Sequence, residues 1–245
     1  MYYILLVFWL SICFSCNQPT TTTTTEETVT DTLTTAVELP IEPPIPAYGF
    51  DSLALDSVFA LNDTAWVELK RLDTSFVLDI RYATTNNFME LQIYDCPKCF
   101  TRLATAKALL KAQKALSKQG LGFKFFDCYR PQSAQYKLWQ KVPDPRYVSP
   151  PTRGSMHSRG GALDLTIVQL DNHQELEMGT TYDYFGKEAY WSYKKHAPHI
   201  QQNRQLLLET LKEYGFKTVS TEWWHFSYRR AWFKLSDMQW DCASN

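Results

Sequence analysis

The chain contains 245 residues, of which 44% are hydrophobic and 15% are aromatic, and its formal net charge is −1 at pH 7. This length and apolar content suffice to bury one sizeable core, and they fit one folded domain better than two. The near-zero charge and the lack of a Lys/Arg run exclude the basic surface that nucleic-acid-binding proteins usually present. We therefore expect a small or neutral substrate, no nucleic-acid ligand and no protein partner.

The start of the chain is typical of an export signal. Residues 1–15, "MYYILLVFWLSICFS", form an apolar run that is too short for a comfortable membrane span. Ser15 precedes Cys16, and this order resembles the cleavage site of bacterial lipoproteins, in which the cysteine becomes the lipidated first residue. The sequence therefore predicts an exported, membrane-anchored lipoprotein that faces the periplasm or the cell surface. Because the segment lacks Lys and Arg, an ordinary cleaved signal or a short anchor is the alternative.

The composition changes between residues 16 and 47. Threonine, proline and acidic residues dominate there, Thr20 to Thr25 is an unbroken threonine run, and the first basic residue of the chain is Lys70. Such a stretch buries too little apolar surface to offset the entropy lost on ordering. We expect a flexible tether, which agrees with a lipid anchor, followed by a single domain at residues 48–245.

Four cysteines lie in the body of the chain, and their pairing is open at this stage. "CPKC", at Cys96 to Cys99, fits a local disulfide, half of a zinc knuckle or a redox pair. No second CxxC completes a knuckle, and the βαβ context of a redox pair is missing. In an oxidising compartment disulfides are expected, so a structural staple of this loop, or free thiols, is favoured. The other two body cysteines are Cys128 and Cys242.

The hydrophobic pattern predicts elements in both halves of the chain. In the first half it predicts a strand at 75–83, a helix at 101–120 and a strand at 122–130, with Thr101 as the helix N-cap and Gly120 at the helix end. The apolar face of the first strand would comprise Phe76, Leu78, Ile80 and Tyr82. The second half predicts a helix at 133–142, a strand at 161–170, a hairpin turn at 171–174, a helix at 200–216 that ends at Gly215, and a strand at 222–228.

The order of these elements indicates the fold class. Helices and strands follow one another without regular βαβ alternation, and no internal repeat is present. Such an order favours an α+β fold with a central, mostly antiparallel sheet that is flanked by helices.

Two short motifs carry residues that suit a metal site. "SMHSRGGALD" contains His157 and Asp164, and "EWWHF" contains Glu222 and His225. Two imidazoles and one carboxylate are ligands that zinc accepts in catalytic sites, where a fourth position stays open for water. The glycine pair at 160–161 gives the backbone the conformational range for a close turn around an ion.

Each motif by itself also has a structural explanation. A single histidine near an aspartate is more often a hydrogen-bonded structural pair, and the tryptophan pair of "EWWHF" suits a core. Residues three apart on a regular strand face opposite sides, so Glu222 must precede the strand or lie at a bend if it faces the same ion as His225. The joint occurrence of both motifs with "DCYR" at 127–130 favours a metal site.

The segments "SMHSRGGALD", "FDCYRPQ" and "EWWHF" resemble the signature segments of the VanX-type D-alanyl-D-alanine dipeptidases, a zinc peptidase family. "RYATTNNF" at 81–88 and "MGTTYD" at 178–183 extend the resemblance, which covers about Asp73 to Tyr228. The pattern S-x-H-x-x-G-x-A-x-D also occurs in related carboxypeptidases and endopeptidases. Cys128 and the "YDCPKCF" loop depart from the family pattern.

The resemblance implies a set of catalytic roles. It implies one zinc ion per chain, held on the sheet by His157, Asp164 and His225, with Glu222 as the catalytic base. It also implies that Arg130 stabilises the negative charge that develops on the scissile carbonyl oxygen. The structural alternative for Arg130 is an ordinary surface or salt-bridging arginine.

A free dipeptide carries an ammonium group and a carboxylate, so the resemblance also implies substrate contacts. Asp183 matches the residue that binds the ammonium, and Ser155 and Tyr82 lie near the same end of the substrate. Asp127 orients Arg130 or contacts the substrate. In the structural alternatives Asp183 caps a turn, Ser155 bonds the loop backbone and Tyr82 packs on the sheet.

The sequence thus predicts a zinc metallopeptidase that hydrolyses D-alanyl-D-alanine to two D-alanines in peptidoglycan turnover or recycling. One alternative is a D,D-carboxypeptidase or endopeptidase that acts on stem peptides of peptidoglycan. Another is a non-catalytic wall-binding lipoprotein, although a binding protein needs no base at Glu222. A role in glycopeptide resistance would use the same residues.

Overall fold

The computed structural model describes residues 55–242, so the predicted signal segment, Cys16 and the whole of the predicted tether lie outside the described residues. The helices are α1 (Leu55–Phe59), α2 (Leu69–Leu72), α3 (Leu103–Ser117), α4 (Gln132–Lys141) and α5 (Pro198–Glu213). The strands are β1 (Trp66–Glu68), β2 (Val77–Leu78), β3 (Phe100–Arg102), β4 (Leu121–Asp127), β5 (Ala162–Gln169), β6 (Phe216–Val219) and β7 (Glu222–Tyr228). Short 3-10 turns occur at Arg81–Ala83, His157–Arg159 and Lys187–Ala189.

The main sheet has the strand order β2-β4-β5-β7-β6. β2 pairs with β4 in parallel, whereas the β4–β5, β5–β7 and β6–β7 pairs are antiparallel. β1 and β3 form a second, antiparallel pair. This arrangement confirms the predicted α+β fold with a mostly antiparallel sheet.

β5 is the central strand of the main sheet, and its polar residues Asp164 and Thr166 are buried together with its apolar ones. It lies between β4 and β7, and all its residues except Gln169 are buried. Leu163, Leu165 and Ile167 of this strand have no exposed surface. The Asp164 carboxylate is therefore carried by the buried central strand of the sheet.

Two long helices cover the sheet. The apolar residues of α3 recur at helical spacing, and Leu103, Leu109 and Leu116 are fully buried. α3 lies on β4, α5 lies on β6, and the two helices contact each other. Within residues 55–242, every helix is too short or too polar to form a transmembrane span.

Two predictions for the first half of the chain were wrong in detail. The strand expected at 75–83 is reduced to β2, and Tyr82 lies in the 3-10 turn that follows it. Thr101 does not cap α3, because it belongs to β3 and its hydroxyl donates to the carbonyl of Gly160 at 2.6 Å. α3 begins at Leu103 without a side-chain cap. The Thr101 hydroxyl, which the local sequence pattern assigned to helix capping, thus forms a tertiary hydrogen bond instead.

The other predicted elements are present with shifted ends. The strand expected at 122–130 ends at Asp127, and Gly215 follows α5 with φ +94° in the left-handed region. The sequence pattern did not predict β6, which begins at Phe216 and pairs with β7. The hairpin turn at 171–174 is confirmed, since the Gln169 amide donates to the Gln174 carbonyl at 2.9 Å.

The body cysteines form two disulfides that join distant parts of the chain. Cys96 is bonded to Cys242, and Cys99 is bonded to Cys128. The expectations of a local disulfide within "CPKC" and of free thiols were therefore wrong, although the loop is stapled. Each bond closes a loop in the unfolded chain and so lowers the entropy of that state.

Candidate active site

Three predicted ligands meet at one end of the sheet. Asp164 on β5 and His225 on β7 are direct partners in the antiparallel register, and the 3-10 turn at His157–Arg159 brings the second imidazole beside them. The Nε2 atom of His157 lies 3.1 Å from Nδ1 of His225 and 3.3 Å from Oδ1 of Asp164. The His225 Nδ1 to Asp164 Oδ1 distance is 3.0 Å. Two nitrogens and one oxygen thus form a nearly equilateral triangle.

This triangle fits a zinc ion. Tetrahedral zinc with bonds of about 2.0–2.1 Å holds its ligand atoms roughly 3.3 Å apart. The distances of 3.0–3.3 Å in the triangle are close to this value. Among the described residues, these three are the group whose ligand atoms converge well enough to hold a metal ion. The donor set and its spacing are therefore suited to zinc, with room for a fourth ligand.

A further set of hydrogen bonds orients the three ligands. His157 Nδ1 lies 2.7 Å from the Cys128 carbonyl, and because a carbonyl only accepts, this nitrogen carries the proton and leaves the Nε2 lone pair for a metal. His225 Nε2 lies 2.9 Å from the Ser227 hydroxyl. Tyr182 donates its hydroxyl proton to Asp164 Oδ2 at 3.0 Å. Each candidate ligand thus has a hydrogen-bond partner on the side-chain atom that does not belong to the triangle.

Electrostatics keep the Asp164 carboxylate ionised. Burial raises the pKa of Asp164, but the neighbouring His157 and His225 lower it by more, so that its net pKa is below the ordinary range. Burial lowers the pKa of His225, despite the opposing effect of Asp164. A neutral imidazole and an ionised carboxylate are the forms that bind a metal.

Glu222 lies beside the triangle at an irregular point of the sheet. It is the first residue of β7, and the β6–β7 register shifts between Thr218 and Val219. Glu222 is thus at the very start of the strand, one of the two positions that the spacing of "EWWHF" allows, and its Oε2 lies 3.9 Å from His225 Nδ1. The indole of Trp191 donates to the Glu222 carbonyl at 3.0 Å, which fixes the backbone there.

The environment of Glu222 makes its carboxylate a ready proton acceptor. Burial raises the pKa of Glu222 well above its ordinary value, and the negative charges of Asp164 and Asp183 raise it further. Arg130 opposes this shift. A raised pKa makes a carboxylate a stronger base, which favours its uptake of a proton from water.

Arg130 is held in a buried position beside the triangle. Its Nε and Nη2 atoms donate to Asp127 Oδ2 at 2.9 and 2.6 Å, and Nη1 donates to Gln135 at 3.0 Å. Burial lowers the pKa of Arg130, but Asp127 and nearby tyrosines raise it by more, so that the guanidinium stays charged. Its Nη2 lies 3.8 Å from Asp164 Oδ2. The positive charge is therefore fixed next to the predicted metal ligands.

Asp127 lies behind Arg130. It has no exposed surface, and besides Arg130 it accepts hydrogen bonds from the Tyr94 hydroxyl and the Cys128 amide. Asp127 is not among the residues that line the adjoining cavity. Of the two roles expected for it, orientation of Arg130 matches this position.

Asp183 and Tyr82 form a hydrogen-bonded pair at the site. The Tyr82 hydroxyl donates to Asp183 Oδ2 at 3.1 Å. Asp183 has φ +58°, a backbone conformation that is unfavourable for a residue other than glycine and that is often found at functional sites. Burial, with the charge of Asp164, raises the pKa of Asp183 to about 8. Ser155 accepts a hydrogen bond from the His157 amide at 3.1 Å and so supports the turn that carries this ligand.

All these groups surround one cavity of about 280 Å³. Its volume is at the small end of the range for ligand pockets. The cavity is lined by the three candidate metal ligands and by Tyr82, Arg130, Ser155, Asp183 and Glu222. The structure thus brings every predicted site residue of the described region to this cavity except Asp127.

Some site residues were missed in the sequence. Ser227 follows His225 by two positions and so shares its strand face, a signal that strand periodicity contains. Tyr182, Gln135 and the carbonyl of Cys128 had no such signal, because tertiary packing alone brings them to the site. Arg146 also lines the cavity, from the proline-rich loop after α4.

Comparisons with known proteins agree with this geometry. A family model described as D-ala-D-ala dipeptidase, Peptidase_M15, matches residues 62–242. The D-alanyl-D-alanine dipeptidase of Escherichia coli (strain K12) is 36% identical over 169 residues, which cover 69% of this chain and 86% of that protein. The D-alanyl-D-alanine dipeptidase of Enterococcus faecium is 29% identical over 171 residues, which cover 62% of this chain and 85% of that protein.

A more distant similarity links the chain to a solved vancomycin resistance D,D-pentapeptidase in complex with Zn(II). That structure has a TM-score of 0.36 and 17% identity, and the match covers 53% of this chain and 73% of that chain, which is too low to support an argument. The family match instead spans most of the chain, including all candidate ligands. The chain therefore belongs to the D-Ala-D-Ala dipeptidase family Peptidase_M15 and is a metallopeptidase.

Proposed function

We propose that this protein hydrolyses D-alanyl-D-alanine to two molecules of D-alanine, with one zinc ion held by His157, Asp164 and His225. The observation that carries the proposal is the triangle of three ligand atoms, 3.0–3.3 Å apart, on the wall of a small cavity. Glu222 and Arg130 line the same cavity. A metal site, a base and a cation around one cavity are the groups that metal-assisted peptide hydrolysis requires.

Glu222 acts as the base and then as the acid in this proposal. A zinc ion in this site would act as a Lewis acid on the scissile carbonyl and lower the pKa of water to about 7. Glu222 takes one proton from the attacking water and gives it to the leaving amine, as a new C–O bond forms and the C–N bond breaks. The position of Glu222, 3.9 Å from the metal-facing nitrogen of His225, suits both transfers.

Arg130 stabilises the charge that develops on the carbonyl oxygen during attack. Its guanidinium is buried and held by two hydrogen bonds to Asp127, so it needs little reorganisation when the charge forms. A fixed donor in a site with little water stabilises such a charge more than a mobile one does.

The two ends of the dipeptide need opposite charges. Asp183, which the Tyr82 hydroxyl contacts, binds the ammonium group in this proposal, and the positive charge of that group would lower the raised pKa of Asp183 and favour its ionised form. We assign the carboxylate to Arg146, which lines the cavity. Asp144 binds Arg146 through Nε and Nη2, which leaves the Nη1/Nη2 edge of the guanidinium for a substrate carboxylate.

The position of Arg146 agrees with this assignment. The Thr221 hydroxyl donates to the Arg146 carbonyl at 2.9 Å, and Thr221 directly precedes Glu222. Glu222 protonates the leaving amine, and the carboxylate of the leaving D-alanine is separated from that amine by one carbon atom. A cation anchored next to Glu222 is therefore close to the leaving carboxylate.

The test is the release of D-alanine by the purified full-length protein with zinc and with a chelator. Chelator-sensitive release from D-alanyl-D-alanine is the expected result. Release from an N-acyl-D-alanyl-D-alanine but not from the free dipeptide would contradict the dipeptidase proposal and favour a carboxypeptidase. No release from folded, zinc-loaded protein would contradict both and favour a wall-binding protein.

We also propose that the protein is exported and anchored to the membrane through a lipid on Cys16. The predicted export signal, the predicted tether and the two disulfides support this location, since disulfides persist in oxidising compartments. A tethered enzyme outside the cytoplasm cannot readily deplete a cytoplasmic precursor, which favours recycling of wall fragments over resistance. Metabolic labelling with a fatty acid is expected to mark the wild type and not Cys16→Ser; equal labelling of both would contradict the proposal.

A further inference from the structure

We propose that the Cys99–Cys128 disulfide positions the metal ligand His157, an inference that rests on the proposed zinc site. Cys128 has two roles in the structure. Its sulfur is bonded to Cys99, and its carbonyl accepts the hydrogen bond from His157 Nδ1 at 2.7 Å. The residue that carries the disulfide therefore also contacts the His157 imidazole. The disulfide would position this imidazole through the backbone of Cys128.

The backbone on either side of this carbonyl is also held. The Cys128 amide donates to Asp127 Oδ1 at 2.9 Å, and the Tyr129 amide donates to the Phe100 carbonyl at 2.9 Å. Phe100 is the first residue of β3 and directly follows Cys99. The disulfide and the hydrogen bond of the Tyr129 amide therefore join residues 99–100 to residues 128–129 at neighbouring positions.

The other side of the His157 turn is attached to the same strand. The Thr101 hydroxyl and the Arg102 amide both donate to the Gly160 carbonyl, at 2.6 and 3.0 Å. Gly160 ends the 3-10 turn that begins at His157. A closed ring of contacts results, which runs from β3 through the disulfide to Cys128, on to His157, along its turn to Gly160 and back to β3.

This closed ring of contacts defines the position of the His157 imidazole and its tautomer. A partner on the outer nitrogen of a metal-binding histidine fixes the proton there and directs the other lone pair at the metal. The Cys128 carbonyl does so only while its own position is constant. The disulfide is the one covalent bond in the ring of contacts besides the chain itself, and both of its sulfur-bearing residues are buried.

The second disulfide of the described region provides a matched control. The control is the variant Cys96→Ala/Cys242→Ala. The disulfide that it removes joins residues with a sequence separation of 146, whereas the separation of Cys99 and Cys128 is 29. Removing the longer loop is expected to cost the greater free energy of unfolding. A purely structural role of both disulfides therefore predicts that any loss of zinc affinity follows this order.

The positioning role predicts the opposite order for zinc. In the full-length protein, Cys99→Ala/Cys128→Ala is expected to weaken zinc binding by about 10- to 100-fold, as loss of an outer partner of a metal ligand does, whereas the control keeps the wild-type affinity. Zinc dissociation constants come from competition with a chromophoric chelator, and unfolding free energies from urea titration. Imidazole ¹⁵N NMR of the zinc-free proteins is expected to show faster exchange of the His157 Nδ1 proton in the Cys99→Ala/Cys128→Ala variant alone.

Unchanged zinc affinity in Cys99→Ala/Cys128→Ala, or equal losses in the two variants, would overturn the inference. Failure of the wild type to bind zinc would instead overturn the proposed function. Should the Cys99→Ala/Cys128→Ala protein not fold, the Cys96→Ala/Cys242→Ala variant is treated with tris(2-carboxyethyl)phosphine, which opens Cys99–Cys128 without replacing a side chain. The same loss of zinc affinity is expected on reduction, and an unchanged affinity after complete reduction contradicts the inference.

Discussion

Most charged side chains at the cavity have a partner that fixes where the charge lies. Asp127 holds Arg130, Tyr82 contacts Asp183, and Tyr182 contacts Asp164. Partners of this kind remove the cost of reorienting a group during reaction. Glu222 differs, because its carboxylate oxygen lies 3.9 Å from His225 Nδ1, which is too far for a hydrogen bond. A proton carrier needs such freedom to turn from water to the leaving amine.

The role of Glu222 leads to the first prediction. Glu222→Gln is expected to lower kcat by at least about 100-fold, because an amide cannot take the proton of the attacking water. Zinc content should stay at one per chain, since Glu222 is not a ligand in the proposed set. Glu213→Gln, which changes an exposed residue at the end of α5, is the matched control. Full turnover by zinc-loaded Glu222→Gln would exclude this residue as the base.

Recognition of the substrate carboxylate by Arg146 leads to the second prediction. Arg146→Gln is expected to raise KM for D-alanyl-D-alanine about tenfold. This is the lower end of the range for loss of a charge-assisted hydrogen bond, because solvent screens the Arg146 side chain, which is 65% exposed. The value of kcat should change little. With the C-terminal amide of the dipeptide as substrate, the variant and the wild type should have similar KM values.

The matched control for Arg146 is Arg153→Gln, which changes an exposed arginine that does not line the cavity. This variant should keep the wild-type KM for the free dipeptide. An equal rise in KM for the dipeptide and its amide in Arg146→Gln would show that Arg146 does not bind the carboxylate.

At the scale of elements, the site depends on how one turn fits between strands. Gly160 closes the 3-10 turn of His157 with φ +71°, and an added Cβ would overlap the ring of Trp66 on β1. The turn thus needs glycine for its backbone conformation and for the close approach of the β1–β3 pair. The small second sheet therefore contributes to the position of a metal ligand.

Substitution of this glycine leads to the third prediction. Gly160→Ala is expected to cost about 1 kcal/mol for the left-handed backbone and about 1–3 kcal/mol more for the clash with Trp66. Gly120→Ala is a matched control, because Gly120 has the same φ of +71° and no atom within 4 Å of the added Cβ. Urea unfolding measures both variants, and equal losses of stability would contradict the role assigned to Trp66.

At the scale of the whole molecule, the metal site joins segments that lie far apart in the chain. The ligands come from a loop turn, from β5 and from β7, and the disulfides attach residues 96 and 99 to residues 242 and 128. A ligand that binds only the folded state stabilises the fold as a whole.

Metal binding therefore leads to the fourth prediction. At free zinc about 1,000-fold above its dissociation constant, the folded state is expected to gain roughly 4 kcal/mol, and Tm to rise by roughly 10 °C. Calorimetry of the apo and zinc-loaded protein measures this rise. His225→Ala should show a much smaller zinc-dependent shift, and the same shift in both proteins would place the zinc elsewhere.

Much of the architecture follows from local pattern. The periodicity of α3 and α5, the strand pattern of β5 and the turn before Glu175 each depend on residues close together in the sequence. The ligand types at His157, Asp164 and His225 were visible for the same reason, as short motifs. The ends of elements were less predictable, since a tertiary hydrogen bond placed Thr101 in β3 and pairing with β7 created β6.

The sequence by itself determined the class of fold, the residues able to hold a metal and the family resemblance, because these depend on composition, periodicity and contiguous motifs. Only the tertiary structure decided the disulfide partners, the Tyr82–Asp183 pair and the carbonyl that orients His157. The residues of each such pair are separated by 29 or more positions along the chain. No local pattern encodes a contact of that kind, because it exists only once helices and strands have packed around a common core.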